Sequence, residues 1–139
     1  MAELNFTPEQ RAAIDTRGST VLVSAAAGSG KTRVLTERLM AYLTDAENPV
    51  DIDRFLVITY TRAAAAELRS RILDGIYARI ASDPENRRLR RQAALCARAE
   101  IGTIHSFCAD FLRANCAALA LAPDFQVADT ERCAALRTT

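Results

Sequence analysis

The sequence of 139 residues has one lysine, one histidine and no long apolar run. Each scarcity excludes something. No stretch approaches the roughly 20 apolar residues that cross a bilayer, so no membrane partner is expected. The opening Met1-Ala2-Glu3-Leu4-Asn5 has neither the positive charge nor the apolar core of a signal peptide, and the expected location is cytoplasmic. Cys96, Cys108, Cys116 and Cys133 form no C-x-x-C pair, and His105 stands alone. A zinc site needs closely spaced thiols, so four reduced cysteines is the favoured reading. Net charge is +1, which neither supports nor excludes nucleic acid. Of the 18 basic residues all but Lys31 are arginine, and the position of that one lysine is therefore informative.

What is present is the balance of a globular domain, half hydrophobic and a quarter charged, at a length that holds one ordinary core. Thr7-Pro8-Glu9-Gln10 predicts a helix start with a capping box, the helix running to about Arg17 and ended by Gly18. Thr20-Val21-Leu22-Val23-Ser24 predicts a buried parallel strand, followed by a glycine loop and a helix from about Thr32 to Leu43. Phe55 to Thr59 predicts a second buried strand. A long helix then runs from the Ala63–Ala66 segment to about Ile80, broken by Asp83-Pro84, and an arginine-rich helical stretch follows. Ile101-Gly102-Thr103 is a third short strand or a turn. The last predicted pieces are a helix from His105 to Leu119 ended by Pro123, a short extended segment at Phe125 to Val127, and a helical tail. Strands alternating with helices predict an α/β fold with a mainly parallel sheet.

The segment with the clearest chemistry is Ala25-Ala26-Ala27-Gly28-Ser29-Gly30-Lys31-Thr32, between a predicted strand and a predicted helix. Gly28 and Gly30 permit the backbone angles that turn successive N–H groups toward an anion. The helix that follows offers its unpaired N–H groups and positive dipole end to phosphates. Lys31 is placed to reach the β- and γ-phosphates, and the Thr32 hydroxyl to coordinate Mg²⁺; Arg33 is assigned to the same site. The first position of the usual pattern is Gly, and here it is Ala25, a residue small enough for the turn. A cation in the first helical turn is unfavourable beside the dipole unless an anion compensates it, so Lys31 argues against an ordinary glycine turn. ATP with Mg²⁺ is the expected ligand.

Three further segments accompany this loop: F-T-P-E-Q-R-A-A-I from Phe6, V-I-T-Y-T-R-A-A-A-A-E-L-R-S-R-I from Val57, and I-G-T-I-H-S-F from Ile101. Their order and spacing resemble the opening of a UvrD-like superfamily 1 DNA helicase. The A-A-A-G-S-G-K-T wording and D-F-Q-V-A-D-T-E near the end are most similar to the AddA-type subunit of a double-strand-break-repair helicase–nuclease. The resemblance implies a RecA-like P-loop core and the ATP-binding part of a helicase or translocase moving 3′→5′ on single-stranded or double-stranded DNA. It also implies a partner, the second subunit of a helicase–nuclease.

By the same resemblance Gln10 reads the adenine edge, a role that competes with its capping-box role for one amide. Tyr60, Thr61 and Arg62 match a single-strand contact, with Tyr60 as a stacking ring and Arg62 in place of the usual Asn. The alternative for Tyr60 is a ring packed at a strand end. Thr103, His105 and Ser106 match another lining of the DNA track; alone, a single His at a helix start reads as structural. Glu67 matches a family glutamate, but an ion pair with Arg71 at i, i+4 is preferred for it. Arg87, Arg88, Arg90, Arg91 and Arg98 have no acid among them and form either a phosphate-contacting face or, preferred, a solvated helix face.

No D-E-x-Q-D-type run, which the family uses for the attacking water and Mg²⁺, occurs in the sequence. Residues 1–139 are therefore expected to be the N-terminal part of the first motor domain of a larger helicase, binding ATP without appreciable turnover alone. The competing readings are a small-molecule kinase and a stand-alone P-loop nucleotide-binding protein.

Overall fold

The computed structural model describes residues 5–128 and 132–134. In chain order its elements are α1 (Pro8–Asp15), α2 (Lys31–Leu43), a 3₁₀ turn (Ile52–Arg54), β1 (Leu56–Thr59), α3 (Arg62–Ser82) and α4 (Arg87–Leu95). A second 3₁₀ turn (Cys96–Arg98), β2 (Glu100–Thr103), α5 (Ile104–Ala114) and a third 3₁₀ turn (Cys116–Leu119) follow. The fold is α/β, with β1 and β2 paired in a small parallel sheet. The chain divides into two compact units between Gly102 and Thr103.

In the first unit the core is the contact of α2, α3 and β1. Leu39, Met40 and Leu43 of α2 meet Leu68, Ile72 and Ile76 of α3, with Ile52, Val57, Cys96 and Ile101 completing the cluster. The apolar positions of α3 recur at helical period, which turns one stripe inward and leaves the rest polar. Gly75 of α3 faces α2, where a Cβ would meet Met40 Sδ at 3.4 Å, an ordinary van der Waals contact. Glu37 on α2 and Arg79 on α3 join the same two helices by an ion pair at 2.8 Å. A smaller cluster of Ala13, Ile14 and Val34 docks α1 on α2.

Thr7 caps α1 as the sequence predicts. Its hydroxyl accepts from the Gln10 N–H at 3.3 Å, and Gln10 Oε1 accepts from the Thr7 N–H at 3.0 Å. The helix ends at Asp15, and Gly18 turns the chain with φ of 68°.

The predicted buried strand at Thr20–Ser24 is not formed. The segment has no regular structure, and Leu22 is 92% exposed. A strand needs a neighbour for its N–H and C=O groups, and among the described residues β1 and β2 pair only with each other. For the same reason β1 is only half buried, with Val57 inside and Leu56 and Ile58 about half exposed.

The arginine-rich stretch is not simply a solvated face. Arg88 and Arg91 each lie 3.0 Å from the Asp51 carboxylate, and Arg88 Nε donates to the Leu43 carbonyl at 3.2 Å. Arg90 donates to the Pro84 carbonyl. Between Arg91 and Ala93, Gln92 is wholly buried; its Oε1 accepts from the Ile52 N–H at 2.8 Å and its Nε2 donates to Asp51 at 2.7 Å. These bonds fasten α4 to the turn that leads into β1. Arg69 of α3 fastens the other strand, donating to the carbonyls of Cys96, Ala99 and Ile101.

In the second unit α5 begins at Thr103, whose hydroxyl accepts from the Ser106 N–H at 3.3 Å and lies 2.9 Å from Ser106 Oγ. It ends at Ala114, short of the predicted Leu119, with Asn115 as the C-cap, its backbone leaving the helical range and its side-chain amide donating to the Phe111 carbonyl at 2.8 Å. A 3₁₀ turn and Ala120, at φ of 52°, follow before Pro123 is reached. Phe125 to Val127 forms no strand. Of the predicted helical tail, residues 132–134 are helical, and the rest lies outside the described residues.

Candidate functional site: the phosphate loop and its surroundings

The loop from Ala25 to Thr32 joins the segment at Thr20–Ser24 to α2. Gly28 and Gly30 both take the left-handed conformation, with φ of 78° and 86°. No side chain crowds Gly28; its glycine is demanded by backbone angle and not by space. Gly30 is the N-cap of α2 and offers no side-chain oxygen, so the first N–H groups of the helix are left for another acceptor. No acid lies in that first turn, which instead holds Lys31 and Arg33.

Lys31 curls back over its own loop. Its ammonium donates to the Ala25 carbonyl at 2.7 Å and to the Ala26 carbonyl at 2.6 Å. Those carbonyls compensate a cation at the positive end of a helix dipole, the electrostatic conflict that the sequence predicts at this position. The Thr32 hydroxyl engages no other group among the described residues, while its carbonyl accepts from Thr36 at 2.9 Å. The residue fits a Mg²⁺ ligand in chemistry and in freedom.

Gln10 reaches the loop from α1. While Oε1 serves the capping box, Nε2 donates to the Ser29 carbonyl at 3.2 Å. The capping-box role is formed through Oε1, while Nε2 ties α1 to the loop at Ser29. A groove of about 550 Å³ opens beside it, lined among others by Gln10, Ala13, Val21, Ser24, Ala25 and Lys31. Glu9, on the groove's rim, has its carboxyl held below the ordinary range by hydrogen bonds from its own backbone N–H and from Thr7.

Arginines fix the far end of α1. Arg38 of α2 donates to the Ala13 carbonyl, and Arg17 donates to the Ile14 carbonyl at 2.6 Å. Both guanidiniums lie over the Tyr42 ring, at 4.0 Å for Arg17 and 5.4 Å for Arg38. At the near end two guanidiniums lie over the Phe6 ring, Arg33 at 4.7 Å from its centre and Arg11 at 5.5 Å. Phe6 and Arg11 received no role from the sequence. The only signal they carried was an aromatic four residues before Gln10 and a cation directly after it.

The residues assigned to DNA occupy two places. Tyr60, Thr61 and Arg62 lie at the carboxyl end of β1 and the start of α3 in the first unit. Thr61 caps that helix by accepting from the Ala64 N–H at 3.1 Å, and its carbonyl accepts from Thr59 at 2.9 Å. The Tyr60 ring is not packed at the strand end: it is fully exposed, with both faces free. Arg62 is exposed beside it. In the second unit Thr103 is buried and holds the start of α5, Ser106 is half-buried in the same cap, and His105 is exposed. Glu67 pairs with Arg71 at 2.7 Å, the helical ion pair preferred from the sequence.

The chain matches the family model of the UvrD/REP helicase N-terminal domain over residues 6–138. It is 51% identical over 129 residues to an AddA-type ATP-dependent helicase/nuclease subunit of Clostridium acetobutylicum, and 53% over 124 residues to its namesake from a Thermoanaerobacter species. The corresponding protein of Pelotomaculum thermopropionicum is 50% identical over 133 residues. These matches cover 93%, 89% and 96% of this chain and 10% of each relative, so the chain spans about a tenth of their length. By loop, by flanking motifs and by sequence, the chain belongs to the UvrD/REP helicase N-terminal domain family.

Proposed function

We propose that the chain is the ATP-binding portion of a 3′→5′ DNA helicase or translocase with a RecA-like core, working in a helicase–nuclease of recombinational double-strand-break repair. The observation that carries this reading is the loop itself: two left-handed glycines, an uncapped helix start, and the sole lysine turned in over the cradle. The family match favours this over a metabolite kinase or a stand-alone nucleotide-binding protein.

Ala25 to Gly30 hold the phosphates through backbone N–H groups. Lys31 exchanges the Ala25 and Ala26 carbonyls for phosphate oxygens, which trades two neutral acceptors for charged ones. Thr32 ligates Mg²⁺, Gln10 reads the base edge, and Arg33 flanks it. MgATP, when bound, supplies the phosphoryl bond whose hydrolysis drives movement. Tyr60 stacks a base of single-stranded DNA, with Thr61 and Arg62 beside it. His105 and Ser106 contact the DNA from the start of α5, and Thr103 supports them as its cap. A second polypeptide completes the helicase–nuclease, and residues 1–139 alone bind ATP with negligible turnover.

The test is ATP hydrolysis by the full-length protein with and without single-stranded DNA. DNA should stimulate the rate, and Lys31→Ala should abolish it at unchanged protein folding. Unaltered hydrolysis in that variant would refute the assignment of the loop.

A further inference from the structure

Tyr60 is fully exposed, and no ring or guanidinium lies against it among the described residues. Packing therefore does not set the direction of this side chain. The backbone does, through where it points the Cα–Cβ bond. That backbone is held on both sides by threonines. Thr59, half-buried at the end of β1, donates its hydroxyl across Tyr60 to the Thr61 carbonyl at 2.9 Å. The Gly102 carbonyl of β2, at 3.4 Å, is a second and longer acceptor for the same proton. Thr61 in turn is fixed on α3: its carbonyl accepts from the Ala65 N–H and its hydroxyl from the Ala64 N–H, both at 3.1 Å. The Thr59 hydroxyl is not needed to form β1, because valine has the same shape and an equal preference for a strand. What the hydroxyl adds is a local bond to the backbone two residues on, which bends the chain over Tyr60.

We infer that Thr59 is a positioning residue of the single-stranded DNA contact, holding the turn that projects the Tyr60 ring into solvent. This inference rests on the proposed role of Tyr60 in stacking a DNA base. Stacking requires the ring to meet the base face at a set height and tilt, and every freedom lost on binding weakens it. With the backbone held at 59 and 61, Tyr60 has only its own side-chain torsions left to order. Removing the Thr59 hydroxyl leaves the Ala65 N–H on the Thr61 carbonyl and the Ala64 N–H on the Thr61 hydroxyl, so α3 keeps its start. The loss is confined to the turn.

The experiment measures binding of a fluorescent oligothymidylate to the full-length protein by anisotropy. Thr59→Val, which keeps the shape and removes the hydroxyl, should weaken the strand about threefold, less than the roughly tenfold of Tyr60→Ala, because the ring is still present. Thr59→Ser should restore binding, and MgATP affinity without DNA should be unchanged in both. Thr59→Ala serves if Thr59→Val does not fold. Added to Tyr60→Ala, Thr59→Val should cause no further loss, since a residue acting through the ring has nothing left to act on. Unchanged DNA affinity in Thr59→Val, an equal loss in the Tyr60→Ala background, failure of serine to restore binding, or a parallel loss of MgATP each overturns the inference. If Tyr60→Ala itself leaves DNA binding intact, the DNA reading of Tyr60 fails and the inference falls with it; if only Thr59→Val is silent, that reading stands and the inference alone fails.

Discussion

Replacing Gln92 by methionine should destabilise the protein far more than its place in an arginine-rich helix suggests. Gln92 is fully buried and makes two hydrogen bonds, from the Ile52 N–H at 2.8 Å and to Asp51 at 2.7 Å. Methionine has nearly the same length and volume, so the change removes the bonds and leaves the packing. The Ile52 N–H would then be buried without a partner, at a cost of about 1–3 kcal/mol, and Asp51 would lose a charge-assisted bond worth about 1.5–3 kcal/mol. Greater apolarity of the thioether returns part of this, which leaves a net loss of about 2–3 kcal/mol. With a urea m-value of about 1–3 kcal/mol/M the unfolding midpoint should fall by about 1 M. Urea unfolding followed by far-UV circular dichroism measures this directly. A midpoint within about 0.3 M of wild type would refute the reasoning, because no other described group is placed to satisfy Ile52.

The same network predicts a pH dependence. The Gln92 hydrogen bond, then the Arg91 and Arg88 charges, hold the Asp51 carboxyl below its ordinary range against a partial burial that raises it. Stability from a carboxylate lowered in this way is present above its unfolded value of about 3.9 and is lost as pH falls through the lower folded value. Urea midpoints of Asp51→Asn should therefore fall less steeply than wild type on acidification below about pH 4; parallel curves would contradict the assignment. On the DNA side, Tyr60→Ala should weaken single-stranded DNA about tenfold, as loss of one stacked base implies, with an unchanged melting temperature because the ring is fully exposed. DNA affinity within about twofold of wild type would remove Tyr60 from the track.

What could be read in the sequence was what depends on residues close together along the chain. The capping box at Thr7 and Gln10, the left-handed glycines at 28 and 30, and the Glu67–Arg71 pair are all set within a few positions. The phosphate loop belongs to this class, which is why its wording is so specific. What could not be read depends on distant partners. The arginine run has no acid within it, and its counter-charge is Asp51, forty residues upstream of Arg91. The segment at Thr20–Ser24 has the composition of a buried strand but no described neighbour to pair with, and composition does not reveal that. The end of α5 falls at the Asn115 C-cap, well before Pro123. At the candidate site the bond from Gln10 to the Ser29 carbonyl was hidden, since it joins residues nineteen positions apart, whereas the capping box that shares the amide was legible. Phe6 was hidden too, because its partners come from two different helices.

The central claim is that the loop from Ala25 to Thr32 holds a triphosphate through Lys31. Equilibrium binding of ATP in the presence of Mg²⁺, measured on wild type and on Lys31→Ala, tests it most directly. The account predicts binding by wild type and a loss of about tenfold to a hundredfold in the variant, the worth of one charge-assisted hydrogen bond. Equal affinity in the two proteins would contradict it.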